Sequence, residues 1–138
     1  MARFLDTNIL LRFLARPATL EDQARAERAR DLLLRVERGE ERVVTSPLVI
    51  FEAIFALRRS YRVSREEVRD RVTEILSLRG VQLPGKRLYV QALQLFAQTN
   101  VSFADAYNAV AMRGQGLSEI YSWDTDFDRL PGITRVEP

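Results

Sequence analysis

The segment Arg3-Phe4-Leu5-Asp6-Thr7-Asn8 sets the fold class at the start of the chain. A short apolar run is followed at once by an acid and two small polar residues, and helical spacing then extends from Thr7 to about Ala15. The segment therefore predicts a strand over residues 2–6, a helix from Thr7, and Asp6 at the junction between them. In sheets built from such units, ligands bind beyond the carboxyl ends of the strands. Asp6 is accordingly the first candidate site residue.

The alternation of short strands and helices continues along the chain. Capping residues and stop signals predict helices over residues 20–38, 46–59, 64–78, 86–98 and 102–114, and strands over residues 43–45, 81–83, 119–122 and 133–136. Short strands that alternate with helices indicate a parallel sheet covered on both faces. The sequence thus predicts an α/β fold, a three-layer α/β/α sandwich with a central parallel sheet. Its length predicts one domain over residues 1–138.

The composition excludes several kinds of chemistry. The chain contains no histidine and no cysteine, which rules out Ser-His-Asp and Cys-His catalysis, zinc sites built on thiolate or imidazole, and disulfides. Oxygen ligands remain, and these favour Mg²⁺ or Mn²⁺ over zinc or copper. No apolar stretch approaches the roughly 18 residues of a membrane span, and no secretory signal is visible. The expected location is cytoplasmic.

The charge balance says little about nucleic acid. The net charge is +2 and the pI is about 9.4, but without histidine a slight basic excess raises the pI far upward. Lys86 is the single lysine among 21 basic residues. The arginines suit bidentate contacts with phosphate, but genomic base composition or a thermophilic lifestyle is the explanation that the sequence favours.

Further acids stand in surroundings like those of Asp6. Glu52 falls in the second turn of an apolar helix, Asp105 in the first turn of the helix opened at residue 102, and Asp124 and Asp126 follow a strand. The segment after that strand is expected to be extended, with Asp126 farther along the exposed loop than Asp124. Asp128 is expected to pair with Arg129 or to cap the turn before residues 131–132. Like charges about 4 Å apart repel by roughly 1 kcal/mol in water and roughly 4 kcal/mol at a dielectric of 20. Burial among apolar residues also removes water from a charged carboxylate, so such acids must be paired or bind a metal. If they converge, they predict a site for one or two divalent cations that activate water for attack on a phosphodiester.

Each acid also has a purely structural explanation. Asp6 is suited to cap the helix that follows it. Glu52 is within reach of a pairing with Arg58 or Arg59. Asp105 is a first-turn acid of the kind that the helix dipole favours. Singly these acids are weak indicators of a site, and the hypothesis depends on their order and their elements.

In that order the motifs resemble those of PIN-domain ribonucleases, and among them the VapC toxins of toxin–antitoxin pairs. The resemblance spans nearly the whole chain and rests on Asp6-Thr7-Asn8, on Glu52 in its apolar helix, on Phe103-Ala104-Asp105-Ala106 and on Ser122-Trp123-Asp124-Thr125-Asp126-Phe127. It implies a metal site made of Asp6, Glu52, Asp105 and Asp124. It also implies that Thr7, Asn8 and Ser122 shape the site, with Asp126 as a ligand or a supporting group. Trp123 and Tyr107 are bulkier than this resemblance leads us to expect beside the site.

The resemblance also implies a function. It indicates a magnesium-dependent endoribonuclease, with Mn²⁺ as a substitute, that acts as the toxin of a VapBC-type pair. The implied partners are an RNA substrate, a cognate antitoxin and a second copy in a homodimer, with no membrane. Apolar residues of segments 20–38 and 46–59 are expected to supply the core and a groove for the antitoxin, among them Leu48, Phe51, Phe55 and Leu57. The alternatives are a PIN nuclease of RNA processing and a non-catalytic, PIN-like module that binds protein. The residue types do not indicate which RNA is the substrate.

Overall fold

The structure is a computed structural model that describes residues 1–138. The chain forms two compact units, Met1–Pro84 and Gly85–Pro138, and each is described by itself. A single domain over residues 1–138 stays a prediction. None of the helices is both long enough and apolar enough for a membrane span.

The first unit combines a parallel sheet with four helices. Its strands are β1 (Arg3–Phe4), β2 (Val43–Val44) and β3 (Val81–Gln82), in the order β1-β2-β3, and its helices are α1 (Thr7–Leu14), α2 (Leu20–Glu37), α3 (Pro47–Arg59) and α4 (Arg65–Leu76). The ladder continues past the strands, since Leu5 donates to the Val44 carbonyl at 2.8 Å and Thr45 to the Gln82 carbonyl at 3.0 Å. Every predicted strand and helix of this unit is present, with ends that differ by one or two residues.

Helix packing forms the core of the first unit. Helix α1 packs against α2 and α3, and α3 packs against α4. Leu10, Leu14, Leu57 and Val68 are buried at these contacts, and a buried side chain of this size contributes about 1.5–3 kcal/mol. The inward residues of α1 and α3 therefore hold these two helices together.

The second unit contains α5 (Lys86–Gln98), α6 (Phe103–Gly114), β4 (Glu119–Tyr121), a 3₁₀ helix (Thr125–Arg129) and β5 (Thr134–Val136). Strands β4 and β5 are parallel, so the strand pairs of both units are parallel, as the sequence predicted. Helices α5 and α6 pack through aromatic rings, with the Tyr89 and Tyr107 centroids 5.2 Å apart. Burial, with a smaller contribution from Tyr107, raises the pKa of Tyr89 to about 12. The phenol is therefore a neutral part of this core at physiological pH.

Helix starts are where the sequence predicted them. Hydroxyl side chains accept hydrogen bonds from the backbone N–H three residues on, at Thr19, Ser46, Ser64 and Ser102. Each bond satisfies a donor that the first helical turn leaves unpaired. Gly39 follows α2 in the left-handed region, at φ 78°, where a residue without a side chain ends a helix at least cost.

The segment after β4 differs from the prediction. The sequence favours an extended segment that carries Asp124 and then Asp126 along an exposed loop. Instead, the backbone N–H of Asp126 donates to Oδ1 of Asp124 at 2.9 Å, and a 3₁₀ helix begins at Thr125. A short acidic side chain that bonds the backbone two residues on closes a turn, and this local bond prevails over extension.

Candidate metal centre

Asp6 follows a strand end that is held by two other residues. The N–H of Leu5 donates to Val44, and the buried hydroxyl of Thr45 donates to the Leu5 carbonyl at 3.1 Å. The backbone of Leu5, directly before Asp6, is therefore held at both its N–H and its carbonyl. Asp6 occupies the N-cap position of α1, yet its side chain makes no capping hydrogen bond. The capping explanation of Asp6 is not what the structure shows, and the exposed carboxylate is available to a ligand.

Thr45 is a supporting residue that sequence reasoning missed. Its hydroxyl is buried and bonds the backbone of a different strand, a contact that joins residues 40 positions apart. A threonine at a strand end carries no local sign of such a long-range bond. Its position directly after the apolar pair Val43-Val44 was the available signal.

Glu52 lies in the second turn of α3, as predicted, and its side chain points to the surface. The hydroxyl of Thr7 donates to Oε2 of Glu52 at 3.1 Å. Thr7 is buried, with 7% of its surface exposed, so packing fixes the position of the donor hydroxyl. The resemblance implied that Thr7 shapes the site, and this bond supports that role. Asn8, implied to do the same, is exposed in the first turn of α1.

The alternative pairing of Glu52 with an arginine is wrong. Arg58 donates to the carbonyl of Val63 at 3.0 Å. Arg59 instead places its guanidinium over the ring of Phe55, 5.7 Å from the centroid, a cation–π geometry. Both arginines project from the last turn of α3, away from the turn that carries Glu52.

The second unit gathers an acidic triad, defined as Asp105, Asp124 and Asp126. One carboxylate oxygen from each residue lies within 4.8 Å of the other two. Around an octahedral Mg²⁺ ion, opposite ligand oxygens stand about 4 Å apart and adjacent ones about 3 Å apart, since each bond is about 2.0–2.1 Å long. Small side-chain rotations therefore suffice for the triad to contact one ion. An all-oxygen donor set of this charge fits Mg²⁺ or Mn²⁺.

The electrostatics of Asp105 show that the charges of the triad are not fully compensated at this residue. Burial raises the pKa of the Asp105 carboxyl, and the negative charges of Asp124 and Asp126 raise it further, against a hydrogen bond from Ser102 that lowers it. Both raising effects act against the ionised form. A bound cation would relieve the charge repulsion.

Local backbone contacts orient Asp124. Strand β4 ends at Tyr121 rather than at Ser122, and the Asp124 N–H donates to the hydroxyl of Ser122 at 3.0 Å. The Asp124 carboxylate in turn accepts the N–H of Asp126. Ser122, which the resemblance implied as a site-shaping residue, therefore contacts the acid it was expected to position. Asp126 is brought back towards Asp124 by the turn instead of lying farther along a loop.

The partner that the sequence favours for Asp128 is also wrong. A pairing with Arg129, or a cap on the turn before residues 131–132, is the expectation from sequence. Asp128 pairs instead with Arg135 at 3.2 Å, while Arg129 contacts Asp126 at 3.1 Å. Residues three apart lie above one another in a 3₁₀ helix, which explains why Arg129 meets Asp126. The spacing of three residues indicates this ion pair only when the 3₁₀ helix is already known.

The candidate acids are more exposed than the sequence argument assumed. Asp6, Glu52 and Asp124 are exposed, and Asp105 and Asp126 are half-buried. The structure brings together the triad in the second unit and joins Glu52 to Thr7 in the first. A single site that contains Asp6 and Glu52 as well as the triad stays a prediction.

The arginine-lined cleft between α1 and α2 shows where part of the basic excess goes. The cleft has a volume of about 570 Å³. Three of its arginines are ion-paired, Arg12 with Asp22, Arg25 with Glu21 and Arg35 with Glu41. The high arginine content therefore does not by itself create an anion site here.

Comparison with known proteins extends over both units. The family model of the PIN domain matches residues 3–133. A VapC ribonuclease of Aquifex aeolicus (strain VF5) is similar along almost its whole length: it is 24% identical over 136 residues, which is 99% of this chain and 96% of the relative. The family match confirms the resemblance read from the motifs and the predicted three-layer α/β/α fold class.

Proposed function

This chain belongs to the PIN domain family, and from that premise we propose that it is a magnesium-dependent endoribonuclease, the toxin of a VapBC-type toxin–antitoxin pair. The observation that carries the proposal is the acidic triad, whose three carboxylates lie within 4.8 Å of one another without a histidine or cysteine in the chain. Near full-length similarity to a VapC ribonuclease supports the toxin over a nuclease of RNA processing.

We propose that carboxylates from both units of the chain bind the metal. The triad supplies Asp105, Asp124 and Asp126, and we propose that Asp6 and Glu52 complete the same centre. Two observations support the addition: the Asp6 side chain has no capping role, and the Glu52 carboxylate is held by Thr7. Mn²⁺ has the same ligand preference and is expected to substitute.

The chain's own residues supply orientation and charge. A divalent cation, when bound, lowers the pKa of a water for attack on a phosphodiester and offsets the charge on the leaving oxygen. Thr7 and Ser122 set the directions of Glu52 and Asp124 through hydrogen bonds. The raised pKa of the Asp105 carboxyl means that protons compete with the metal for this residue at a higher pH than they would for an ordinary aspartate.

We propose that an antitoxin covers the exposed face of α3. Leu48 and Phe55 expose 74% and 62% of their surface, and they lie on the same helical face as Glu52, one turn away on either side. Of the apolar residues predicted to serve a core and a groove here, Leu57 is fully buried and serves the core. A partner that covers Leu48 and Phe55 would also block Glu52, which is what neutralisation of a toxin requires. A homodimer and a cytoplasmic location belong to the same proposal.

Cleavage assays with matched variants test the proposal. We expect the purified chain to cut RNA internally with Mg²⁺ and to lose this activity with EDTA. Asp6→Asn and Asp105→Asn should each abolish cleavage while circular dichroism stays unchanged. Asp128→Asn is the control, because this acid pairs with Arg135 outside the triad. A wild-type chain that cuts no RNA with Mg²⁺ or Mn²⁺ would overturn the nuclease, and full activity of Asp6→Asn would remove Asp6 from the centre.

A further inference from the structure

Trp123 is a large aromatic side chain without a partner in the chain. It exposes 72% of its surface, and its indole makes no hydrogen bond or ring contact. Exposure of so much apolar surface is unfavourable, at about 25 cal/mol per Å². An exposed tryptophan beside a candidate site therefore points to a ligand that covers it.

The backbone on both sides of Trp123 is held in place. The N–H of Ser122 donates to the Val136 carbonyl at 3.1 Å, and the N–H of Asp124 donates to the Ser122 hydroxyl at 3.0 Å. The backbone position of Trp123 is therefore fixed, and its Cα lies about 3.8 Å from that of Asp124, a member of the triad. Trp123 is therefore the residue next to Asp124 along a backbone that is held on both sides.

The surroundings of the ring favour a nucleobase over a protein. A stable protein interface buries about 800 Å² on each partner, but the apolar surface near Trp123 along the chain is limited to Tyr121, because Ser122, Asp124 and Thr125 are polar or charged. A base offers a flat face of about the size of an indole, and base–aromatic stacking needs no apolar surroundings. An RNA strand whose phosphate is held at the triad has the adjacent base within reach.

We propose that Trp123 stacks on an unpaired base of the nucleotide next to the cleaved phosphodiester. The inference rests on the proposed nuclease function and adds a positioning residue to it; the stacked base must be unpaired, since bases inside a helix are already stacked and are not presented to a side chain. Trp123 is thus a substrate-positioning residue. It sets where the strand lies relative to the triad and takes no part in the chemistry.

Kinetics with four variants test the role of the ring. Trp123→Ala should raise KM by about 5- to 150-fold, the equivalent of about 1–3 kcal/mol per stacked base, and leave kcat nearly unchanged. Trp123→Phe, which keeps an aromatic face, should stay within a few-fold of wild type, whereas Trp123→Leu should resemble Trp123→Ala. Tyr121→Ala is the matched control: Tyr121 is equally exposed, at 76%, but stands three residues before Asp124.

An RNA substrate without bases at the cleaved bond distinguishes stacking from other causes of a raised KM. RNA that lacks the bases flanking the cleaved bond should be cut by wild type and Trp123→Ala with the same KM. A wild-type KM for Trp123→Ala on normal RNA would overturn the inference. So would a wild-type KM for Trp123→Leu, because an apolar contact would then suffice. If Trp123→Ala keeps its KM but loses a co-expressed protein partner, the residue belongs to a protein interface and the inference is wrong.

Fluorescence separates this inference from the nuclease proposal. Trp123 is the single tryptophan, so its emission reports on its own surroundings. A single-stranded RNA 12-mer with Ca²⁺ should quench the emission with saturation, and the same strand annealed to its complement should not. Quenching without cleavage under Mg²⁺ would overturn the nuclease and keep the stacking. Cleavage with unchanged emission and an unchanged Trp123→Ala KM would overturn the stacking alone, and absence of both overturns both.

Discussion

The hydroxyl of Thr7 holds the carboxylate of Glu52, through a hydrogen bond of 3.1 Å to Oε2. The two residues are 45 positions apart and belong to the first turn of α1 and the second turn of α3. Because Thr7 is buried and Glu52 is exposed, the bond joins a carboxylate on the surface to a hydroxyl that packing holds in place. The direction of this carboxylate is therefore set before any ligand arrives.

Thr7→Val tests what that orientation contributes. Valine keeps the shape of threonine and removes the donor, so we expect the free energy of unfolding to fall by about 1 kcal/mol. Glu52 is then free to rotate, and cleavage at limiting Mg²⁺ should drop several-fold and recover in part when Mg²⁺ is raised. Thermal unfolding and a Mg²⁺ titration of cleavage measure the two effects. An unchanged Mg²⁺ dependence would show that Thr7 serves the fold alone.

Thr73→Val is the same substitution with the opposite expected sign. The Thr73 hydroxyl, on α4, is buried without a hydrogen-bond partner, and an unsatisfied buried polar group costs about 1–3 kcal/mol. Replacing the hydroxyl by a methyl group should raise the melting temperature by several degrees and leave cleavage unchanged. A melting temperature at or below that of wild type would mean that the hydroxyl finds a partner in solution.

Local rules account for most of what the sequence predicted correctly. Helix starts at Thr19, Ser46, Ser64 and Ser102 depend on a side chain and a backbone N–H three residues away, so the pattern is contained in the sequence. Parallel pairing follows from the alternation of strands with helices. The position of Glu52 in its second turn follows from the cap at residue 46.

Contacts made in three dimensions account for the errors. The Thr45 bond to Leu5 and the pairing of Asp128 with Arg135 join residues whose types do not single each other out. The turn at Asp124 was missed because an extended strand end and an acid-capped turn suit the same residues there. The exposure of the acids was misjudged because apolar neighbours in sequence lie on the other face of a helix.

Asp105→Asn should stabilise the metal-free chain in a pH-dependent way. The pKa of Asp105 is raised in the folded state by burial and then by its acidic neighbours, so the folded chain binds more protons than the unfolded chain between the two pKa values. Stability therefore falls as the pH rises through that window, and the full penalty is present above the folded pKa. In EDTA the variant should melt higher than wild type at pH 7, and the gain should vanish below about pH 4.

Mg²⁺ should reverse that order. A cation bound by ionised carboxylates stabilises wild type in proportion to the logarithm of its concentration, whereas the amide side chain that Asp105→Asn introduces is a weaker, uncharged ligand. The melting temperature of wild type should thus rise with Mg²⁺ more than that of the variant. Equal shifts for both proteins would remove Asp105 from the metal centre.

Arg129→Gln should tighten metal binding at little cost in stability. Arg129 pairs with Asp126, and both side chains are more than a third exposed, so the pair contributes about 0–1 kcal/mol to folding. Its positive charge competes with a cation for the same carboxylate. Without it, the Mg²⁺ midpoint of cleavage should fall by about two- to five-fold at low salt and less at high salt. Arg69→Gln, which breaks a similar surface pair on α4, is the control and should leave the midpoint unchanged.

Asp124 has two roles that different substitutions separate. Its carboxylate belongs to the triad, and its Oδ1 also accepts the N–H that starts the 3₁₀ helix. Asparagine keeps an oxygen acceptor and caps a helix as well as aspartate does, so Asp124→Asn should lose cleavage and keep its melting temperature. Asp124→Ala should lose cleavage and also about 1 kcal/mol of stability, the usual loss when a cap is removed.

Asp126→Ala should be milder than either Asp124 variant. Asp126 contributes one carboxylate to the triad but shares it with Arg129, and its backbone N–H, which the turn requires, survives the substitution. Cleavage should weaken and need more Mg²⁺, with an unchanged melting temperature. Asp128→Ala should cleave normally, since its partner is Arg135. Mg²⁺ titrations of the three alanine variants rank them, and an inactive Asp128→Ala beside an active Asp124→Ala would place the metal on the other side of the 3₁₀ helix.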